Sequence, residues 1–266
     1  MSWAIQGKTP WVIAHRGASA YAPENTLAAF RKAYHLGADA VELDVHLTAD
    51  QVPVVIHDAD LKRTTGKAGK VNRMLLKEVK KLDAGSHFGV EFAGEAIPTL
   101  DEVIEEIGQK VLFDIELKDL FNPFSKLPEV VARVVQRHHV EDRILFSSFN
   151  PIFLTRVKAL LPDVMVGLLI LPGWYAAWSK SGFLDYQTWD MLIPHYKDIL
   201  LERVLAQHKI GRKLSAYTVN SKEEVISLLD VGIDGIITND PILVTGLRRT
   251  DDSTRMARAG ERAVSG

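Results

Sequence analysis

Two histidines, three carboxylates and two cations stand just past short runs of strand-forming residues in the first half of the chain. They are His15 and Arg16 after Trp11-Val12-Ile13, Glu42 and Asp44 after Ala40-Val41, His57 after Val54-Val55-Ile56, and Glu116 and Lys118 after Val111-Leu112-Phe113. Strand side chains alternate between faces, so Glu42 shares a face with Asp44, and Glu116 with Lys118. On neighbouring strands all seven groups would converge on one rim. Carboxylate oxygens suit a hard divalent ion, magnesium or calcium. Without a cation, three such carboxylates would repel one another or take up protons. Imidazoles titrate near neutrality, and a pair can divide the roles of general base and general acid. A guanidinium fork and an ammonium would neutralise a phosphate, pair with the carboxylates, or do both.

These groups need elements that hold them. The pattern predicts strands over Val12–Ala14, Ala40–Val45, Pro53–Ile56, Val111–Leu117, Ile144–Ser147, Val164–Leu169, Met191–Pro194, Leu214–Val219 and Gly235–Thr238. Helices are expected around Thr26–Leu36, Leu100–Ile107, Leu127–His138, Pro151–Leu160, Lys197–Gln207, Lys222–Leu229 and Pro241–Arg248. Asn25 is available to cap the first helix and Gly37 to close it. About eight strand–helix units argue for an α/β fold, a closed TIM (β/α)8 barrel. Active sites in that fold lie at the C-terminal ends of the strands, where all four polar clusters fall.

Residues 60–97, rich in glycine and with an amphipathic stretch at Met74–Lys81, exceed an ordinary loop and read as an inserted excursion above the barrel mouth. The expected organisation is one barrel domain over 1–249 and a polar tail over 250–266. The arginines from Arg248 onward are diluted by acidic residues and read as a solvated or frayed tail. Leu171–Trp189 is dense in aromatic residues and reads as packing beneath a long loop rather than as a lip over the site. Asp114 shares the face of Glu116 one layer deeper, and is expected to be buried and hydrogen-bonded. Tyr217, ending the seventh strand, either walls the pocket or fills the barrel top. His46 lies near the site but past a strand end. His35, His87, His138, His139, His195 and His208 read as structural.

The 266 residues are 47% apolar, typical of a packed globular protein, and carry a formal net charge of -2. That balance gives no overall electrostatic case for nucleic acid. The absence of cysteine excludes disulfides and thiolate zinc sites. No signal-peptide pattern opens the chain and no apolar run is long enough for a transmembrane segment, so a cytoplasmic protein acting on a small molecule is the expectation. Oligomeric state is left open.

The run His15-Arg16-Gly17-Ala18 followed by Ala22-Pro23-Glu24-Asn25-Thr26 resembles the opening of the glycerophosphodiester phosphodiesterase family. Glu42-Leu43-Asp44-Val45, Val54-Val55-Ile56-His57-Asp58, Arg63-Thr64-Thr65-Gly66, Ile115-Glu116-Leu117-Lys118 and Tyr217-Thr218-Val219-Asn220 continue the resemblance in order, from about residue 11 to about 247. It implies a metal-dependent TIM-barrel hydrolase, with 60–97 as the family's small inserted subdomain after the second strand, that converts glycerophosphodiesters to glycerol 3-phosphate and an alcohol such as choline or ethanolamine. Residues matching His15 and His57 would be the acid/base pair. Those matching Glu42, Asp44 and Glu116 would hold one divalent ion, Mg2+ or Ca2+. Arg16 and Lys118 would contact the phosphate, and Tyr217, where many members have Trp, would shape the glycerol pocket. The nucleophile is water or the glycerol 2-hydroxyl. A lysophospholipase D-type enzyme of the same fold, a non-catalytic phosphate-binding barrel and a sugar-phosphate isomerase are the rival readings.

Overall fold

A computed structural model describes residues 2–3, 10–119, 122, 124–184 and 189–248. Among them the strands are β1 (Trp11–Ala14), β2 (Ala40–Leu47), β3 (Pro53–Val55), β4 (Leu112–Leu117), β5 (Ile144–Ser148), β6 (Met165–Ile170), β7 (Met191–Pro194), β8 (Lys213–Ala216) and β9 (Gly235–Thr238). The helices are α1 (Leu27–His35), α2 (Lys62–Thr65), α3 (Leu76–Val79), α4 (Leu100–Ile107), α5 (Leu127–His138), α6 (Pro151–Leu160), α7 (Tyr175–Lys180), α8 (Leu201–Lys209) and α9 (Lys222–Asp230). A further helix covers 241–248. All strands except β3 pair in parallel, and β1 pairs with both β2 and β9, so eight strands close the expected TIM barrel. No helix among the described residues is long and apolar enough to cross a membrane.

The two-residue period of the strands sorts the core. Val12, Val41, Leu43, Phe113 and Ile115 face outward and join the helices in one continuous apolar layer. Ile13, Ala40, Leu112, Leu145, Leu169 and Ile237 face inward and fill the lower barrel. The same inward columns continue upward as Glu42 and Asp44 on β2 and as Asp114 and Glu116 on β4. Register places Glu42 beside Asp114 and Asp44 beside Glu116. An apolar floor therefore carries a layered carboxylate cluster at the C-terminal mouth.

Several local expectations change. β3 is not a barrel strand. It runs antiparallel to the upper end of β2, with Val55 opposite Val45. β2 is longer than expected and rises above the mouth, so a short hairpin folds back and returns His57 to the level of Asp44; Ile56 N–H donates to Asp44 O at 2.9 Å. Residues between β3 and α4 build an apolar cluster of their own from Leu61, Val71, Val79, Ala84 and Ile97. Thr26, not Asn25, caps α1, accepting from Ala29 N–H. The helix expected from Lys197 begins at Leu201, after a 3-10 turn at Tyr196–Asp198. Tyr175 and Trp189 are buried, while Trp178 and Phe183 pack against the outer core. Tyr186 lies outside the described residues.

Arg248 is not part of a frayed tail: it is buried. Its guanidinium donates to Pro10 O at 2.9 Å and pairs with Asp39, whose carboxylate also accepts Val12 N–H at 2.8 Å. The last helix is thereby tied to the bottom of β1. Asp39→Ala would strand a buried guanidinium and a backbone donor, a loss of about 3 kcal/mol. A clearly lowered urea midpoint is expected; an unchanged midpoint would contradict this role.

Candidate active site

The peptide after β1 turns sharply to aim its side chains. Arg16 and Gly17 both adopt left-handed backbone, with φ of 56° and 79°. A Cβ on Gly17 would sit 2.7 Å from the Ala29 carbonyl carbon, so only glycine lets this turn press against α1. The turn directs Arg16 N–H to Glu42 Oε2 at 2.8 Å. It also places His15 Nε2 4.0 Å from the same oxygen.

The structure brings Glu42, Asp44 and Glu116 together: one carboxylate oxygen of each lies within 4.8 Å of the others. Burial and the neighbouring Asp44 raise Glu42 well above the ordinary carboxylate range. Burial pushes Glu116 up to about 7. Burial acts on Asp44 in the same direction, but Lys118 and Arg16 more than offset it and hold Asp44 ionised. Lys118 Nζ lies 2.7 Å from Glu116 Oε1 and 3.2 Å from Asp44 Oδ1, and Arg16 Nε lies 3.4 Å from Asp44 Oδ2. Glu42 Oε1 is buried and accepts no hydrogen bond. Asp114 is fully buried as expected; burial raises it to about 7, against the opposing side-chain hydrogen bond with Ser147. The cluster has the composition and spacing of a divalent-cation site.

The two imidazoles are held differently. His15 Nδ1 contacts Asn239 Oδ1 at 2.6 Å, which assigns the proton to Nδ1 and leaves Nε2 free. Burial, then Arg16, lowers His15 to about 4. His57 Nδ1 contacts the Asp58 carboxylate at 2.6 Å, and its carbonyl is met by His46 Nε2 at 3.0 Å. Burial lowers His57 as well. Both rings line one cavity of about 180 Å3, with Arg16, Glu42, Asp114, Glu116, Lys118 and Tyr217. The Tyr217 hydroxyl donates to Ile170 O at 2.7 Å, so this residue offers the cavity its ring.

Residues 15–243 match the glycerophosphoryl diester phosphodiesterase family. The chain belongs to that family. A glycerophosphodiester phosphodiesterase of Caldanaerobacter subterraneus is 44% identical over 239 residues, spanning 90% of this chain and 97% of the relative. An Oleispira antarctica phosphodiesterase, solved with the product sn-glycerol-3-phosphate, superposes with a TM-score of 0.82 at 36% identity. It covers 89% of this chain and 96% of its own. A Thermotoga maritima glycerophosphodiester phosphodiesterase gives a TM-score of 0.73 at 28% identity, covering 91% and 100%. As a glycerophosphoryl diester phosphodiesterase family member, the chain is an enzyme that hydrolyses glycerophosphodiesters.

Within this family member, several residues that support the site escaped the sequence reading of roles. Glu24 accepts from Arg16 Nη1 at 3.0 Å and from both Nη atoms of Arg63 at 2.7 and 2.8 Å. Arg63 Nε donates to Asp58 at 2.6 Å. One chain of charges thus runs from Arg16 through Glu24, Arg63 and Asp58 to His57. Asn25, left-handed at φ 58°, donates to Asp44 Oδ2 at 2.8 Å instead of capping α1. The signal was present, because these residues sit in the quoted motifs, but nothing in their spacing reveals the partners.

Proposed function

We propose that this enzyme performs metal-dependent hydrolysis of glycerophosphodiesters such as glycerophosphocholine or glycerophosphoethanolamine. The products are glycerol 3-phosphate and the alcohol, and His15 and His57 divide the proton transfers. The observation that carries this reading is the convergence of three carboxylates, two cations and two imidazoles on one small cavity above an apolar floor. Glu42, Asp44 and Glu116 fit a divalent ion. They offer hard oxygen donors, and one buried oxygen, Glu42 Oε1, lacks a partner. The ion, magnesium or calcium, would supply Lewis-acid stabilisation of phosphoryl charge.

The chain's own groups do the rest. Arg16 and Lys118 face the non-bridging oxygens while remaining anchored on Asp44, which keeps their charge fixed before substrate arrives. The free Nε2 atoms of His15 and His57 sit on the cavity wall, where one takes a proton from the nucleophile and the other returns one to the leaving oxygen. Tyr217, Phe149 and Leu169 wall the end suited to the glycerol carbons.

Dialysis against a chelator is expected to abolish phosphodiester cleavage, and magnesium or calcium to restore it with saturation at one ion per chain. Full activity after complete removal of divalent ions would contradict the reading. Asp58→Asn would present an amide to His57 Nδ1 and release Arg63. A hydrogen bond to a charged group contributes about 1.5–3 kcal/mol, so kcat should fall about 10- to 100-fold. A steady-state measurement showing less than a twofold change would remove His57 from the proton-transfer step.

A further inference from the structure

A groove of about 880 Å3 lies beside the catalytic cavity. His57 and Lys118 line both spaces. One wall of the groove comes from the upper end of β2, the residues after His57 and the 3-10 turn at Val71–Arg73. The other comes from Asp119, Asn122, Phe124, Ser125 and Lys126, between β4 and α5.

Its place follows from the reaction. A phosphodiester carries two substituents on one phosphorus, and the attacking and leaving oxygens stand roughly in line during transfer. The smaller cavity has room for the phosphate and for one arm at its end by Phe149, Leu169 and Tyr217. The second arm must then pass His57 and Lys118. The groove is the space on that side.

Its charges are informative once internal pairs are set aside. Lys118 is neutralised by Asp44 and Glu116, and Asp58 by Arg63. Asp60 and Asp119 pair with no cation among the described residues; Asp60 accepts Lys62 N–H, and Asp119 accepts the Asn122 amide at 3.3 Å. Lys126, at the N-cap of α5, is the groove's remaining cation. Asp60 is exposed and well screened, whereas Asp119 is half-buried. Asp119 directly follows Lys118, in left-handed backbone at φ 75°, and lines the groove with His46. A positive group on the second arm would meet this carboxylate in the groove.

We propose that this groove is the subsite of the leaving alcohol and that Asp119 makes it prefer an alcohol bearing a positive charge over a neutral polyol. The proposal rests on the glycerophosphodiesterase reading given above. It concerns selection between substrates and not the chemistry of cleavage.

The test compares kcat/KM for glycerophosphocholine with kcat/KM for glycerophosphoglycerol, in wild type, Asp119→Asn and Asp119→Lys. The ratio should favour the cationic substrate in wild type, fall about fivefold in Asp119→Asn and fall further in Asp119→Lys. In wild type alone, raising salt from about 0.02 to about 0.5 M should shrink the preference, because screening weakens a half-exposed pair. This arm needs no variant to fold. A ratio unmoved by both substitutions and by salt overturns the proposal. Cleavage of neither substrate by wild type overturns the functional reading beneath it, so the two failures are distinct.

Discussion

His15→Ala is expected to lower kcat about 10²- to 10⁴-fold, the range that a positioned proton-transfer group contributes. KM should change far less, because on the proposed reading the phosphate would be held by Arg16, Lys118 and an ion on the carboxylates. The geometry sets this expectation. Asn239 fixes His15 Nδ1, and the free Nε2 opens into the cavity beside Glu42. Burial and Arg16 keep the ring unprotonated at neutral pH. A packing defect is a poor alternative cause, since the side chain stands in the cavity and not in the apolar layer. Near-normal kcat for a folded His15→Ala enzyme would show that the proton moves by another route.

Asp44→Asn should have an effect of similar size through a different quantity. Asp44 is held ionised by Lys118 and Arg16, accepts from Asn25, and faces Glu42 and Glu116. The amide keeps the shape and removes the charge. Losing even an outer partner of a metal site costs about 10- to 100-fold in affinity, so losing a charged ligand should weaken calcium or magnesium binding by more than about 100-fold. Calorimetric titration reads that change directly. Because Asp44 also anchors Arg16 and Lys118, activity should not return fully even at saturating metal. Unchanged metal affinity would place the ion elsewhere.

Much of this arrangement is legible from strand alternation. Ile13, Ala40 and Leu112 lie side by side in one inward apolar layer, and the two-residue period carries Glu42, Asp44 and Glu116 above it to the mouth. The barrel follows because eight such runs alternate with helical ones. What could not be read is what depends on partners distant in sequence. Arg63 and Glu24 are 39 residues apart and meet only because the hairpin through β3 turns the chain back over the mouth. Asn239 is 224 residues from His15, and β9 brings it alongside β1. Arg248 looked like tail because its partner, Asp39, lies 209 residues away at the foot of β2. Asn25 and Thr26 both have the chemistry of a helix cap, and only the turn at Arg16 decides that Thr26 takes it while Asn25 reaches Asp44. β3 resembles any short buried strand, and its antiparallel direction depends on how far β2 extends.

The most direct measurement is phosphorus NMR of glycerophosphocholine incubated with the enzyme, with magnesium or calcium, with chelator, and with His15→Ala in place of wild type. The account predicts glycerol 3-phosphate as the phosphorus-containing product, formed only with metal and nearly lost in His15→Ala. Release of phosphocholine instead, or undiminished glycerol 3-phosphate in chelator, would contradict it.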